Sequence, residues 1–171
     1  MTLSRGPNSN GKLRVLSVVV EDHPGVLARV SGLIRRRGFN IDALSVGPTD
    51  RAGRSRMTLT VDAGHAEVDQ VGKQLHKLVE VIKVTDLTDE PVTSRELVLV
   101  RVGATGQRRE AVMQAIEHLG GRTLDIGRDA ITVELAADAD AIEGFVELLR
   151  PYGVKEVARS GPVAMRRNPR R

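Results

Sequence analysis

Residues 16–30 read LSVVVEDHPGVLARV and join the pattern of a strand to the pattern of a helix through one short turn. The β-branched run that ends at Glu21 predicts a strand with at least one buried face. Asp-His-Pro-Gly at residues 22–25 breaks this run, and apolar residues then recur at three- and four-residue spacings, which predicts an amphipathic helix. Pro24 marks the start of that helix, and Asp22 is its candidate N-terminal cap.

The pattern continues outward from this helix into a complete unit. Three arginines and a glycine at residues 35–38 predict the helix end, because cations favour terminal carbonyls and glycine readily adopts positive φ. Two alternating segments up to residue 62 predict a hairpin, and residues 68–79 and 81–84 predict a second helix and a fourth strand. The order β-α-β-β-α-β then repeats between residues 97 and 157. The expected fold class is therefore α+β, with two tandem ferredoxin-like βαββαβ units.

Charge and composition set the expected domain boundaries. The chain has 26 Lys and Arg against 22 Asp and Glu, and residues 166–171 alone contain four arginines and no acid. The rest of the chain is therefore neutral, and the excess charge predicts a solvated tail rather than an anion site. We expect a flexible N-terminal tail at 1–12, the first unit at 13–89, the second unit at 90–163 and a basic flexible tail at 164–171.

The sequence offers little chemistry for an enzyme. The absence of cysteine excludes disulfides, thiolate metal sites and cysteine nucleophiles. The four histidines are scattered, with His65 expected in a loop, and no phosphate-binding or nucleophile motif is present. No apolar run approaches the ~18 residues of a membrane span. We therefore expect a soluble, cytoplasmic protein with no catalytic site, metal site or membrane association of its own.

One arrangement has the chemistry of a ligand site. A strand ends and a helix begins around Gly25, so free backbone amides would face a small carboxylate in a partly positive field. Asp22 would accept a hydrogen bond from an ammonium group, and Asn40, at the start of the adjacent strand, offers a donor and an acceptor. The apolar neighbours of an aliphatic side chain would be Val26, Leu27 and Ile41. The alternative is an ordinary strand–helix turn that binds nothing.

Several segments closely resemble one family, the small regulatory subunit of acetolactate synthase (acetohydroxyacid synthase). In the first unit they are the residues at 16–30, 37–46, 55–58 and 73–78. In the second unit they are the residues at 94–97 and 156–161. The resemblance covers roughly residues 13–165 in the family's order and spacing, which is far more specific than a single short motif.

The resemblance implies that the first unit is an ACT domain, which pairs edge to edge with a second copy and binds a feedback amino acid at that interface. It implies a homodimer whose partner is the catalytic subunit. That subunit would carry thiamine diphosphate, Mg or another divalent metal, and FAD, none of them expected in this chain, and would join two pyruvates, or pyruvate and 2-oxobutyrate, in branched-chain amino-acid biosynthesis. The small subunit would activate it and confer inhibition by valine. The implied effector contacts are Asp22, His23, Pro24, Gly25, Val26, Leu27, Asn40 and Ile41.

Two departures from the family pattern bear on the site. Many relatives have Asn where this chain has Asp22, and a carboxylate there suits an effector ammonium but repels its carboxylate. The turn of the second unit, residues 103–107, lacks the Asp-x-Pro-Gly pattern, so we expect it to serve assembly or signal transfer.

Two other functions share this topology. A stand-alone amino-acid sensor would use the same turn without a catalytic partner. An RNA-binding protein would stack bases on aromatic side chains of its central strands. The only aromatics are Phe39, Phe145 and Tyr152, and none lies in the predicted third strand, residues 56–61. We therefore expect no nucleic-acid partner.

Overall fold

The computed structural model describes residues 13–62, 65–106 and 108–168. The predicted N-terminal tail, residues 1–12, lies outside the described part. The chain divides into two compact units. One runs to Thr93 and resumes at Pro162, and the other spans Ser94–Gly161. The division therefore falls a few residues after the expected boundary at 89, and the C-terminal segment belongs to the first unit.

The first unit is a four-stranded antiparallel sheet with helices on one face. The elements are β1 (Leu13–Glu21), α1 (Val26–Arg36), β2 (Ile41–Pro48), β3 (Arg54–Asp62), α2 (His65–Leu75) and β4 (Val81–Asp86). The strands lie in the order β2-β3-β1-β4. The core joins one face of β1, chiefly Leu16, Val18 and Val20, to buried residues of both helices.

The second unit repeats this topology, which confirms the predicted pair of ferredoxin-like units. The elements are β5 (Val92–Gly103), α3 (Arg108–His118), β6 (Arg122–Ile126), β7 (Ala130–Ala137), α4 (Ala139–Leu149), a 3-10 turn (Arg150–Tyr152) and β8 (Val154–Arg159). The strands lie in the order β6-β7-β5-β8, around a core that contains Phe145. Asp138 caps α4, because its Oδ1 accepts a hydrogen bond from Ala141 N at 3.0 Å.

The second helix differs from its predicted extent at both ends. It begins at His65, which was expected in a loop, and ends at Leu75 instead of residue 79. The next turn tightens, since Leu78 N donates to Leu75 O at 3.0 Å, three residues back, and the α-helical ladder does not continue. Val79, the last residue of the predicted helix, is 89% exposed.

The prediction of a flexible tail at residues 164–171 is wrong for residues 164–168, the part that the structure describes. Val163–Arg166 forms a ninth strand, β9, which pairs with β5. Arg166 Nη2 lies 3.0 Å from Glu90 Oε1, and Arg167 N donates to Pro91 O at 2.7 Å. The charge of this segment does not predict the backbone hydrogen bonds that it forms. It also does not predict the burial of Ala164, which is 2% exposed. Residues 169–171 lie outside the described part.

Candidate functional site

The turn at residues 22–25 connects β1 to α1 and is exposed to solvent. Gly25 is the N-terminal cap residue of α1, with φ 92° and ψ −16°, a left-handed conformation that L side chains rarely adopt. The prediction that Asp22 caps the helix is wrong, since no side chain caps this end. Asp22 stands three residues before the cap position, because Pro24 and Gly25 complete the turn first.

The start of α1 keeps the features of an anion site. Gly25 O accepts the hydrogen bond of Arg29 N at 3.0 Å, while the amides of the first turn have no side-chain cap and no acidic neighbour in that turn. These free amides carry the positive end of the helix dipole. Leu27 is 41% exposed, whereas Val26 is 3% exposed and packs into the core. Of the two predicted apolar contacts in this turn, only Leu27 is thus available to a ligand in this chain.

Backbone and ionic contacts fix the turn from both sides. Asp22 N donates to Gly53 O at 2.9 Å, which ties the turn to the loop between β2 and β3. On the other side, Arg29 forms an ion pair with Glu80, whose side chain is 9% exposed. His23 Nε2 lies 3.4 Å from Glu21 Oε2, so His23 has a partner at the end of β1. The turn is therefore a constrained surface feature.

The register of the sheet separates the two halves of the predicted site within one chain. Asn40 and Ile41 lie at the start of β2, which is separated from β1 by β3 and is therefore not its neighbour. Ile41 and Arg14 both pair with Val61, so Ile41 is level with the beginning of β1. Glu21 lies seven residues further along β1 than Arg14, a distance of about 23 Å at strand spacing. One chain does not bring Asn40 and Ile41 to the turn.

The equivalent turn of the second unit is engaged by internal contacts. Arg109 Nη2 donates to Gly127 O at 2.7 Å and to Arg128 O at 2.8 Å, and it also reaches Ala104 O at 3.3 Å. Ala104 N donates in turn to Asp129 O at 3.0 Å. An arginine side chain thus joins this turn to the loop between β6 and β7.

Residues 13–62, 65–106 and 108–168 contain no group of three or more His, Cys, Asp or Glu residues placed to hold a metal ion. None of the helices within these ranges is long and apolar enough to cross a membrane.

The chain matches known proteins along both units. Residues 16–83 match the family described as "AHAS small subunit-like ACT domain", and residues 95–168 match "Small subunit of acetolactate synthase". A "Probable acetolactate synthase small subunit" from Archaeoglobus fulgidus is 47% identical over 150 residues, which cover 88% of this chain and 94% of that protein. The chain belongs to the acetolactate synthase small-subunit family. The family inferred from the sequence is thereby confirmed.

Further relatives support the same assignment over nearly the whole length. The "Acetolactate synthase small subunit" of Mycobacterium leprae is 46% identical over 155 residues, covering 91% of this chain and 92% of that protein. The solved structure of the acetolactate synthase small subunit from Thermotoga maritima aligns with a TM-score of 0.85 at 34% identity. It covers 92% of this chain and 99% of that one. The turn at residues 22–25 thus lies in the ACT domain of a small subunit.

Proposed function

We propose that this chain is the regulatory subunit of acetolactate synthase, which activates the thiamine-diphosphate-dependent catalytic subunit and makes it sensitive to valine. The observation that carries the proposal is the uncapped N-terminus of α1 at Gly25, inside the matched ACT domain. Thiamine diphosphate, a divalent metal and FAD belong in this proposal to the catalytic partner. This chain contributes the effector site and the contact with that partner.

The turn offers each part of valine a complementary group. The valine carboxylate accepts hydrogen bonds from the free amides that follow Gly25, and the left-handed glycine leaves its approach open, since nothing lies within 4 Å of a Cβ built there. The exposed carboxylate of Asp22 faces the ammonium group, and Leu27 contacts the isopropyl group. Valine changes activity by binding the less active state of the complex more tightly, typically by about 1–3 kcal/mol of coupling.

Dimerisation through the edge strand β2 explains how Asn40 and Ile41 join the site. β2 is the outer strand of its sheet. In an antiparallel pair of β2 strands related by a twofold axis, the start of one strand lies beside the end of the other. Pro48, at the end of β2, and Val20 both pair with Ser55, so this is the end of the sheet that carries the turn. Asn40 of the partner subunit then faces the turn of the first subunit.

This shared site predicts complementation between two defective variants. Gly25→Asp damages the turn and Asn40→Ala removes the amide supplied across the interface, so each homodimer should lose valine binding. A heterodimer of the two variants contains one site with both defects and one site with none. We therefore expect it to bind valine at half the wild-type stoichiometry, measured by calorimetry on separately tagged, co-purified chains. A heterodimer that binds no valine would show that each site is built from a single chain.

The proposal as a whole is tested by adding the purified chain to an acetolactate synthase catalytic subunit with its cofactors. Acetolactate formation should rise on addition of the chain, and valine should then lower it. Valine binding without any effect on acetolactate formation would instead identify a stand-alone amino-acid sensor. If the chain does not raise acetolactate formation and valine does not lower it, the proposed regulatory function is overturned.

A further inference from the structure

The segment Ser55-Arg56-Met57-Thr58 on β3 takes no part in the turn described above. Met57 is 2% exposed and belongs to the core between the sheet and the helices. Side chains alternate along a strand, so Arg56 and Thr58 lie on the opposite face of the sheet, away from α1 and α2. In register, Arg56 stands between Val19 of β1 and Gly47 of β2.

A cavity of about 390 Å³ lies on this second face, between the ends of β2 and β3 and the strand β9. This volume is within the range of about 300–1,000 Å³ that is usual for small-molecule sites. All of the lining belongs to the first unit, which includes β9. The lining residues that supply polar and apolar contacts are Ser45, Arg56, Thr58, Val46, Val163 and Met165.

The lining combines one cation with hydroxyl groups and an apolar wall. Within the described part of the chain, the Arg56 side chain forms no ion pair or hydrogen bond, whereas Arg14, Arg29 and Arg159 all form ion pairs. Thr58 is 2% exposed. The side chains of Val163 and Met165, each 57% exposed, project from β9 while Ala164 between them is buried. An unpaired guanidinium beside an open apolar wall matches a ligand with an anionic head and a hydrocarbon tail.

We infer that this cavity is a second ligand site, specific for a small aliphatic carboxylate. Its carboxylate binds the Arg56 guanidinium through two hydrogen bonds, with the hydroxyls of Ser45 and Thr58 nearby, and its alkyl chain packs on Val163 and Met165. Asp50 also lines the cavity, but it is exposed at the hairpin tip, where solvent screens its charge. The site lies across the sheet from the uncapped end of α1 and is built from one chain.

The test uses 3-methylbutanoate, which has the carboxylate and branched chain but no ammonium group. Titration into the full chain should shift the backbone NMR signals of Gly47 and Thr58 and saturate at millimolar concentration or below. Arg56→Gln should weaken binding at least about tenfold, since it removes a charged hydrogen-bonding partner. Arg51→Gln is the matched control, because Arg51 is in the same hairpin but does not line the cavity, and it should bind as the wild type does.

Two further variants test the apolar wall and the separation of this cavity from the turn. Met165→Ala removes an exposed side chain of β9 without altering the charge, and it should weaken binding a few-fold. Gly25→Asp should bind 3-methylbutanoate normally, which separates this cavity from the proposed valine site. Shifts confined to the residue 22–27 turn, or equal binding by Arg56→Gln and the wild type, would overturn the inference. The inference would also be overturned if a second chain filled the cavity. In that case the carboxylate would not bind, and Arg56→Gln would change the oligomeric state.

Discussion

We expect that valine will no longer inhibit a complex that contains the Gly25→Asp variant, while activation of the catalytic subunit is retained. Gly25 is the left-handed cap of α1, and in the proposed function the free amides behind it hold the valine carboxylate. An aspartate side chain places a negative charge at that position and repels the ligand. The valine concentration that gives half-maximal inhibition should rise at least about tenfold. The measurement is acetolactate formation by the reconstituted complex over a valine series.

Two variants separate this charge effect from backbone strain. Gly120 follows α3 with φ +75°, and a Cβ built there also meets nothing within 4 Å, so Gly120→Asp carries a comparable conformational cost in the other unit. It should leave valine inhibition unchanged. Gly25→Ala adds strain of about 1–2 kcal/mol without a charge and should give a smaller loss of sensitivity. If Gly25→Asp stays fully valine-sensitive, valine does not bind at this turn.

Local spacing was sufficient to predict the turn but not the residue that caps the helix. The three- and four-residue apolar spacing after Gly25 defined α1, because this pattern depends only on neighbouring residues. The side-chain type of Asp22 favours it as a helix cap. Gly25 occupies the cap position instead, because the chain must reverse sharply after β1. Pro24 followed by Gly25 achieves this with one positive φ. The first helical amides consequently remain free.

The position of Asn40 depended on topology, which residue type does not reveal. Parallel strands joined by a crossover helix begin at the same end of a sheet. The order β1, α1, β2 therefore places Asn40 at the end opposite to the turn, as the pairing of Ile41 with Val61 shows. The predicted element order therefore already contained the information that Asn40 and the turn lie at opposite ends of the sheet. This separation is the reason that a site combining Asn40 with the turn requires two chains.

The strand β9 could not be predicted from charge, although basic residues are the most prominent feature of the sequence at this end of the chain. Arginines 166 and 167 suggested a solvated tail, yet both bind groups in the Glu90–Val92 segment, far away in sequence. Such pairing is non-local, since its partners are more than seventy residues apart. The alternation of Val163, Ala164 and Met165 was the available signal, but three residues are too few to distinguish a strand from a tail.

Arg159 links three elements of the second unit through a partly buried ionic network. Its Nε lies 2.5 Å from Glu96 Oε1, its Nη2 donates to Glu96 Oε2 at 3.1 Å, and its Nη1 lies 3.3 Å from Glu143 Oε2. These contacts join β8 to β5 and α4. The hydrogen bond to Glu96 raises the pKa of Arg159 above its usual value, against the opposing effect of burial. The Glu96 side chain is only 7% exposed, and Arg159 lies beside it as its ionic partner.

Replacing Arg159 by Met should therefore lower the free energy of unfolding of the second unit by about 3–5 kcal/mol, because it leaves Glu96 buried without a counter-charge. Urea unfolding of the full chain, followed by circular dichroism, measures this loss. The double variant Arg159→Met, Glu96→Met should recover much of it, since the buried carboxylate of Glu96 is removed together with its partner. Arg101→Met is the matched control. Its pair with Glu156 has side chains 52% and 62% exposed, and its loss should cost at most about 1 kcal/mol. Equal losses from Arg159→Met and Arg101→Met would show that the network adds no more stability than a surface ion pair.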